Sequence, residues 1–190
     1  MEKAEPFVLR VLDVAAASIG LVVTAPVLLV LVVLIPLSSP GPAIFSQIRV
    51  GQGERRFTCY KLRTMRSGTR SAGTHEITRE SVTGLGAFLR SSKIDELPQL
   101  WNVLRGEMSL VGPRPCLPEQ IDVIEARRAL GVYRLRPGIT GPAQIAGVDM
   151  STPLKLAEHD CALFSDGGVG RYLALLVLTL VGRGQGDRIA

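Results

Sequence analysis

Aromatic residues are scarce in this chain: they make up 5% of its 190 residues, and there is one tryptophan. That scarcity argues against single-stranded nucleic acid as a partner, because such binding leans on aromatic platforms for the bases. The formal net charge is +5, yet no basic run reaches five residues, and Arg55-Arg56 and Arg127-Arg128 are the densest pairs. The basic excess therefore points to anionic lipid or a phosphorylated substrate, and no nucleic-acid role is expected. Cysteine is sparse too. Cys59, Cys116 and Cys161 are odd in number and far apart, which excludes a metal-ligand spacing and a disulfide framework and leaves three reduced thiols. His75 and His159 are isolated and read as surface residues, without the partners that a metal site or a catalytic triad needs. No internal repeat is present, and the length fits one domain.

The most extended absence is of charge: no ionisable side chain stands between Asp13 and Arg49. Residues 14–37 are almost wholly apolar, longer than the roughly 20 needed to cross a bilayer core as helix. The run is too long for a secretory signal, and no small-residue cleavage site follows it cleanly. Pro26 lies mid-run, where it removes a donor and bends a helix; Thr24 can bond a freed carbonyl. Pro36, Pro40 and Pro42 are expected to end the helix. Lys3 and Arg10 precede the segment, and Arg49, Arg55 and Arg56 follow it, so the positive-inside rule gives no direction. Two geometries stay open on this reading: a spanning helix with a kink, or a segment that bends at Pro26 and returns to the same face.

Beyond the apolar run, residues 43–66 read as short strands and turns, with 57–60 as strand and Gly51 and Gly53 marking a turn before it. Residues 67–78 are polar and read as a loop. Helices are expected over 85–91, 95–104, 118–130 and 154–164. Residues 172–181 are strongly apolar but too short to span, and suit the core or the interfacial zone.

The stretch SSKIDELPQLWNVLRGEMSLVGPRP, residues 91–115, carries the chemistry. Asp95 and Glu96 are adjacent acids, and Asp95 as N-cap would place Pro98 in the first turn of the 95–104 helix. The positive helix end would then favour both ionised carboxylates and a nearby phosphate. Leu97, Leu100, Trp101 and Val103 make that helix half-buried. Arg114 sits between two prolines in a Gly-Pro-Arg-Pro turn, where a guanidinium can clamp a phosphate. Lys61 and Arg63 alternate along a strand and would share a face. Arg90 lies five residues before Asp95, and Arg136 stands beside a proline in a second loop. Attack by a carboxylate on a diphosphate meets like-charge repulsion, so such a site needs several cations and a metal. The bland alternative is a basic, non-enzymatic membrane adaptor whose acids are solvated.

Four motifs, PGPAIFSQIRVG (40–51), YKLRTM (60–65), GAFLRSSKIDELPQLWNVLRGEMSLVGPRP (86–115) and RPGITGPAQ (136–144), occur in order. In these the chain resembles the bacterial sugar transferases of the minimal monotopic phosphoglycosyl transferase family, over nearly its whole length. The resemblance implies an α+β, mostly helical fold. Residues 1–38 would form a re-entrant membrane helix kinked by proline. Residues 39–190 would form a small cytosolic catalytic domain with interfacial amphipathic helices. It implies transfer of a phosphosugar from a UDP-sugar to a polyprenyl phosphate of the undecaprenyl type, with release of UMP. Asp95 would be the nucleophile, Glu96 with Asp95 the Mg2+ ligands, and Lys61, Arg63, Arg90, Arg114, Arg136 and Gln144 the substrate-binding set. The implied location is the cytoplasmic face of the bacterial inner membrane, among membrane lipids, with a second copy of the chain as a candidate partner. The sugar is not named by the residues; an N-acetylated hexosamine is expected, with hexoses open. The chain departs from the family pattern at Ala25, where serine is common, at Pro142, where tryptophan is common, and at Val148, where an arginine is common. Asp160 aligns with a family acidic position.

Overall fold

The computed structural model describes residues 7–69, 81–165 and 168–181. Most of the 67–78 loop, His75 included, lies outside these residues.

Helix α1, Phe7–Ser38, runs unbroken through Pro26 and Pro36. Pro26 has no N–H for the Val22 carbonyl. The Thr24 hydroxyl bonds the Gly20 carbonyl at 2.7 Å instead, not the one that proline frees. The helix passes Pro36 and stops at Ser38, where the Ser39 N–H closes the last turn on Ile35 at 3.2 Å and Pro40 forbids continuation. Its most apolar 18-residue window has mean hydropathy 2.9 and is only 11% buried. A single stripe packs inward: Leu9, Ala17 and the pair Leu31 and Ile35 join three different apolar clusters of the rest of the protein.

Both ends of α1 are bonded to the rest of the fold. Near the start, Arg10 donates to the Val103 and Leu104 carbonyls at 2.8 and 3.1 Å, and buried Asp13 accepts the Leu110 N–H at 2.9 Å and the Tyr172 hydroxyl. Burial and the bond to Asp13 push the Tyr172 phenol above its ordinary range. At the far end, Arg63 donates to the carbonyls of Ser39, Pro40 and Gly41 at 2.5, 2.7 and 3.0 Å. These carbonyls lie just past the helix, and Arg63 Nη2 also reaches the Ile35 carbonyl of its last turn at 3.5 Å; a guanidinium placed there complements the helix dipole.

Strands β1 (Ile44–Val50) and β2 (Arg56–Leu62) form an antiparallel hairpin. Helix α2 (Gly84–Ser91) follows, capped by the Thr83 hydroxyl at 2.9 Å. Gly86 lies so close to Thr64 that a Cβ there would meet the Thr64 carbonyl oxygen at 1.9 Å. The expected 95–104 helix is shorter: a 3-10 turn spans Ile94–Glu96, and helix α3 begins only at Gln99. Asp95 is therefore not the helix cap; Pro98 holds that place, without a side-chain bond. The cause is Pro98 itself, which has no N–H for the Ile94 carbonyl, so the Leu97 N–H takes that carbonyl at 3.2 Å in the tighter i→i+3 pattern.

Strand β3 (Ser109–Val111) runs parallel to β4 (Gly138–Thr140). Helix α4 (Ile121–Ala129) lies between them in sequence, and α5 (Pro142–Ile145), α6 (Pro153–Ser165) and α7 (Gly168–Leu180) close the chain. Pro142 occupies the first turn of α5, where a missing N–H costs nothing. Val148 is half-buried against the apolar cluster of Val50, Cys116, Ile124 and Leu156. Cys59 and Cys116 are buried in separate clusters, as free thiols. His159 is half-buried rather than on the open surface, because α6 packs against α4.

Candidate active site

Asp95 and Glu96 sit in the tight turn between α2 and α3, with Asp95 only 6% exposed. The Lys61 ammonium, at the end of β2, reaches Glu96 Oε1 at 2.6 Å. Arg114 Nη1 reaches the same oxygen at 3.3 Å. Burial opposes ionisation of Glu96, but the charges of Lys61 and Arg114 overcome it and hold the group down to about 2. A carboxylate depressed in the fold adds stability at neutral pH that is lost as pH falls from its ordinary 4.5 through about 2. The melting temperature should therefore fall over that window, and Glu96→Gln should remove that component in a scan of melting against pH.

Asn102 ties α3 to β2 and so sets the distance from Lys61 to Glu96. Its amide donates to the Thr58 carbonyl and to Glu107, both at 2.7 Å, and accepts the Tyr60 N–H at 3.2 Å.

The Gly-Pro-Arg-Pro loop is held by its carbonyls. Those of Pro113, Arg114, Pro115 and Cys116 accept from the Gly138 N–H at 2.9 Å, Arg127 Nη1 at 2.8 Å, Arg49 Nη1 at 3.0 Å and the Val50 N–H at 3.0 Å. Four pinned carbonyls in a row, two of them from prolines, leave the Arg114 backbone little freedom. The loop lies against the 136–141 segment so tightly that a Cβ on Gly138 would stand 2.0 Å from the Gly112 nitrogen; only glycine fits that crossing.

Arg127 is the least expected member. Along the chain it is half of one of the two densest basic pairs, yet its side chain is 2% exposed and donates twice to Asp160 Oδ2, at 2.7 and 3.0 Å. Burial pushes the Asp160 carboxyl up, and the Arg127 charge pulls it back. No local signal separates Arg127 from Arg128, whose exposed guanidinium pairs with Glu54; the apolar spacing of Val123, Ile124 and Arg127 on one helix face is the one available clue.

Lys61 and Arg114 thus converge on Glu96, the neighbour of Asp95. Arg90, at the end of α2, donates through Nε to Thr64 Oγ1 at 2.9 Å, and its Nη1 is buried without a hydrogen-bond partner. Arg63 goes elsewhere. Strand β2 ends at Leu62, so Arg63 does not share the Lys61 face but turns to the end of α1. Arg136 donates to the Gly106 carbonyl at 3.1 Å, next to those taken by Arg10. Gln144 folds back on the Ile139 carbonyl at 3.2 Å, with its Oε1 buried and unpaired.

A buried aspartate next to a half-buried glutamate that a lysine and an arginine engage, in a protein with an exposed apolar helix, suits phosphate chemistry at a membrane. The family model described as bacterial sugar transferase matches residues 4–182. The chain belongs to the bacterial sugar transferase family. Among its relatives in that family is a UDP-glucose:undecaprenyl-phosphate glucose-1-phosphate transferase of Caulobacter vibrioides, 47% identical over 73% of this chain and 54% of the relative. A UDP-N-acetylgalactosamine-undecaprenyl-phosphate N-acetylgalactosaminephosphotransferase of Aeromonas hydrophila is 42% identical over 81% of this chain and 38% of the relative. An uncharacterized sugar transferase, EpsL, of Bacillus subtilis is 39% identical over 90% of this chain and 84% of the relative. The chain thus spans about half or less of the first two relatives and most of the third.

Proposed function

We propose that this bacterial sugar transferase moves a sugar phosphate from a UDP-sugar to a polyprenyl phosphate in the membrane, through a covalent intermediate on Asp95. The observation that carries the reading is the buried Asp95 beside a Glu96 already neutralised by Lys61 and Arg114. The two acids and these two cations sum to no net charge, which lessens the repulsion that Asp95 meets as it attacks phosphorus. An Asp95 oxygen forms a bond to the sugar-linked phosphorus, the bond from that phosphorus to the bridging oxygen breaks, and UMP leaves with the electron pair. An oxygen of the acceptor phosphate then attacks the same phosphorus and returns Asp95 as carboxylate. The covalent route divides one displacement into two. The orphan Nη1 of Arg90 is a donor that a phosphate oxygen would satisfy.

The residues fit a Mg2+ ion. Two adjacent carboxylates are the hard oxygen donors it takes, and such sites leave other positions to water and substrate phosphates. Among the described residues no set of three candidate ligands occurs, so water and substrate phosphates would have to complete the sphere. Asp95 and Glu96 would hold the ion, which when bound would offset charge on the diphosphate.

The membrane geometry we infer is re-entrant, on the cytoplasmic face of the inner membrane. A straight helix of 32 residues would be about 48 Å long, well beyond a hydrocarbon core of about 30 Å. Yet both its ends are bonded to one domain, through Arg10 and Asp13 at the start and Arg63 at the finish. That favours entry and exit on one face, where a cytosolic donor and a lipid-borne acceptor meet. Exposed Phe88 on α2 and Leu173, Val177 and Val181 in and after α7 suit contact with the interfacial zone.

The names of the relatives include glucose and N-acetylgalactosamine donors, so the test screens both. Purified protein incubated with UDP-sugar and no acceptor should gain the mass of one phosphosugar and release UMP. A short polyprenyl phosphate should then remove the adduct. Turnover without any adduct would mean direct, one-step transfer, and no UMP release from any donor would leave the adaptor reading.

A further inference from the structure

Helices α3, α4 and α5 all end alike. The residue after the C-cap has positive φ, and in each it is glycine: Gly106 at 79°, Gly131 at 65° and Gly147 at 70°. The left-handed conformation favours glycine there because it carries no Cβ. Helix α2 ends the same way, with Ser92 as C-cap, but the following residue is Lys93, at φ 58°. The one other described non-glycine residue with positive φ, Glu54, lies in the hairpin connection and pairs with Arg128 on the surface. Lys93 therefore keeps a side chain where the backbone asks for none, and strain retained in this way gathers at functional sites.

Its position says what the side chain serves. The Lys93 N–H donates to the Arg90 carbonyl, and its own carbonyl accepts the Glu96 N–H, both at 3.2 Å. It thus joins the arginine that holds an orphan donor to the turn that holds both acids. It is half-buried, and its ammonium is one of the charges that act on Glu96. Lys61 and Arg114 already serve Glu96. A donor diphosphate brings further negative charge to the same place, and Arg90 and Lys93 are cations that flank the turn. We propose that Lys93 is a phosphate-binding residue of the donor site, a fourth cation beside Lys61, Arg90 and Arg114. The proposal rests on the UDP-sugar reading above.

The test compares Lys93→Gly, Lys93→Asn and Lys93→Arg in the full-length protein. Glycine removes the charge and relaxes the backbone, and asparagine removes the charge while tolerating the left-handed region. Both should raise the KM for the UDP-sugar about tenfold, the worth of one charge-assisted contact, and weaken UDP binding by calorimetry equally. The KM for the polyprenyl phosphate should not move. Arginine should restore most of the affinity, and the glycine variant should melt no lower than wild type. Unchanged UDP affinity in Lys93→Gly would overturn the proposal. So would an arginine variant as weak as the glycine one, or a shift confined to the acceptor KM. Wild-type protein that binds UDP but releases no UMP would sink the transfer reading instead, with the contribution of Lys93 still measured by the UDP titration.

Discussion

Asp95→Asn should lose the phosphosugar adduct and slow transfer at least about a thousandfold, the scale on which removal of a nucleophile acts. The substitution keeps the shape of the side chain and removes its charge. Asp95 is buried next to Glu96, and two adjacent carboxylates in one tight turn repel. The variant should therefore melt at or above the wild-type temperature while losing turnover, the trade expected where a site is built for chemistry rather than stability. Intact mass after incubation with donor, UMP release and a melting curve on the same sample read all three. Transfer that survives in Asp95→Asn would remove the nucleophile from this account.

Arg127→Met should cost about 3–5 kcal/mol, because it strips the partner from a buried carboxylate. Asp160 is fully buried, its Oδ1 has no partner, and both bonds on Oδ2 come from Arg127. Replacing both residues should separate packing from chemistry. In Arg127→Met with Asp160→Leu no charge is left buried, and such exchanges are often neutral for stability. The melting temperature should recover toward wild type. Activity should not, because the Arg114 carbonyl has still lost its 2.8 Å donor. A small misplacement of a positioned group costs about a hundredfold in rate. If the double variant regains both stability and rate, Arg127 serves the core alone and does not position Arg114.

Much of this molecule can be read along the chain. The apolar run needs no tertiary contact to be seen, since its length and its lack of charge are local. Helices α2, α4 and α6 lie within a few residues of their expected ends, because amphipathic spacing is local too. The adjacent acids, the rigid Arg114 turn and Lys61 stand out by composition, and the fold does bring them together. The break at Pro98 was harder to read: a proline in a first turn and a proline that forces a 3-10 turn before the helix share one local sequence. Arg63 shows the limit. It stands two residues from Lys61, yet it closes the end of α1, because β2 ends between them.

What the sequence determined by itself is therefore the inventory: a membrane-length apolar helix, a carboxylate pair, and more cations than acids to surround it. What only the tertiary structure decided is the assignment of those cations. Arg10, Arg63 and Arg136 went to helix ends, Arg127 to Asp160, and Lys61 and Arg114 to Glu96. One guanidinium is chemically like another. Its role is set by which carbonyl or carboxylate lies within about 3 Å, and that neighbour comes from a distant part of the chain, placed by packing rather than by spacing.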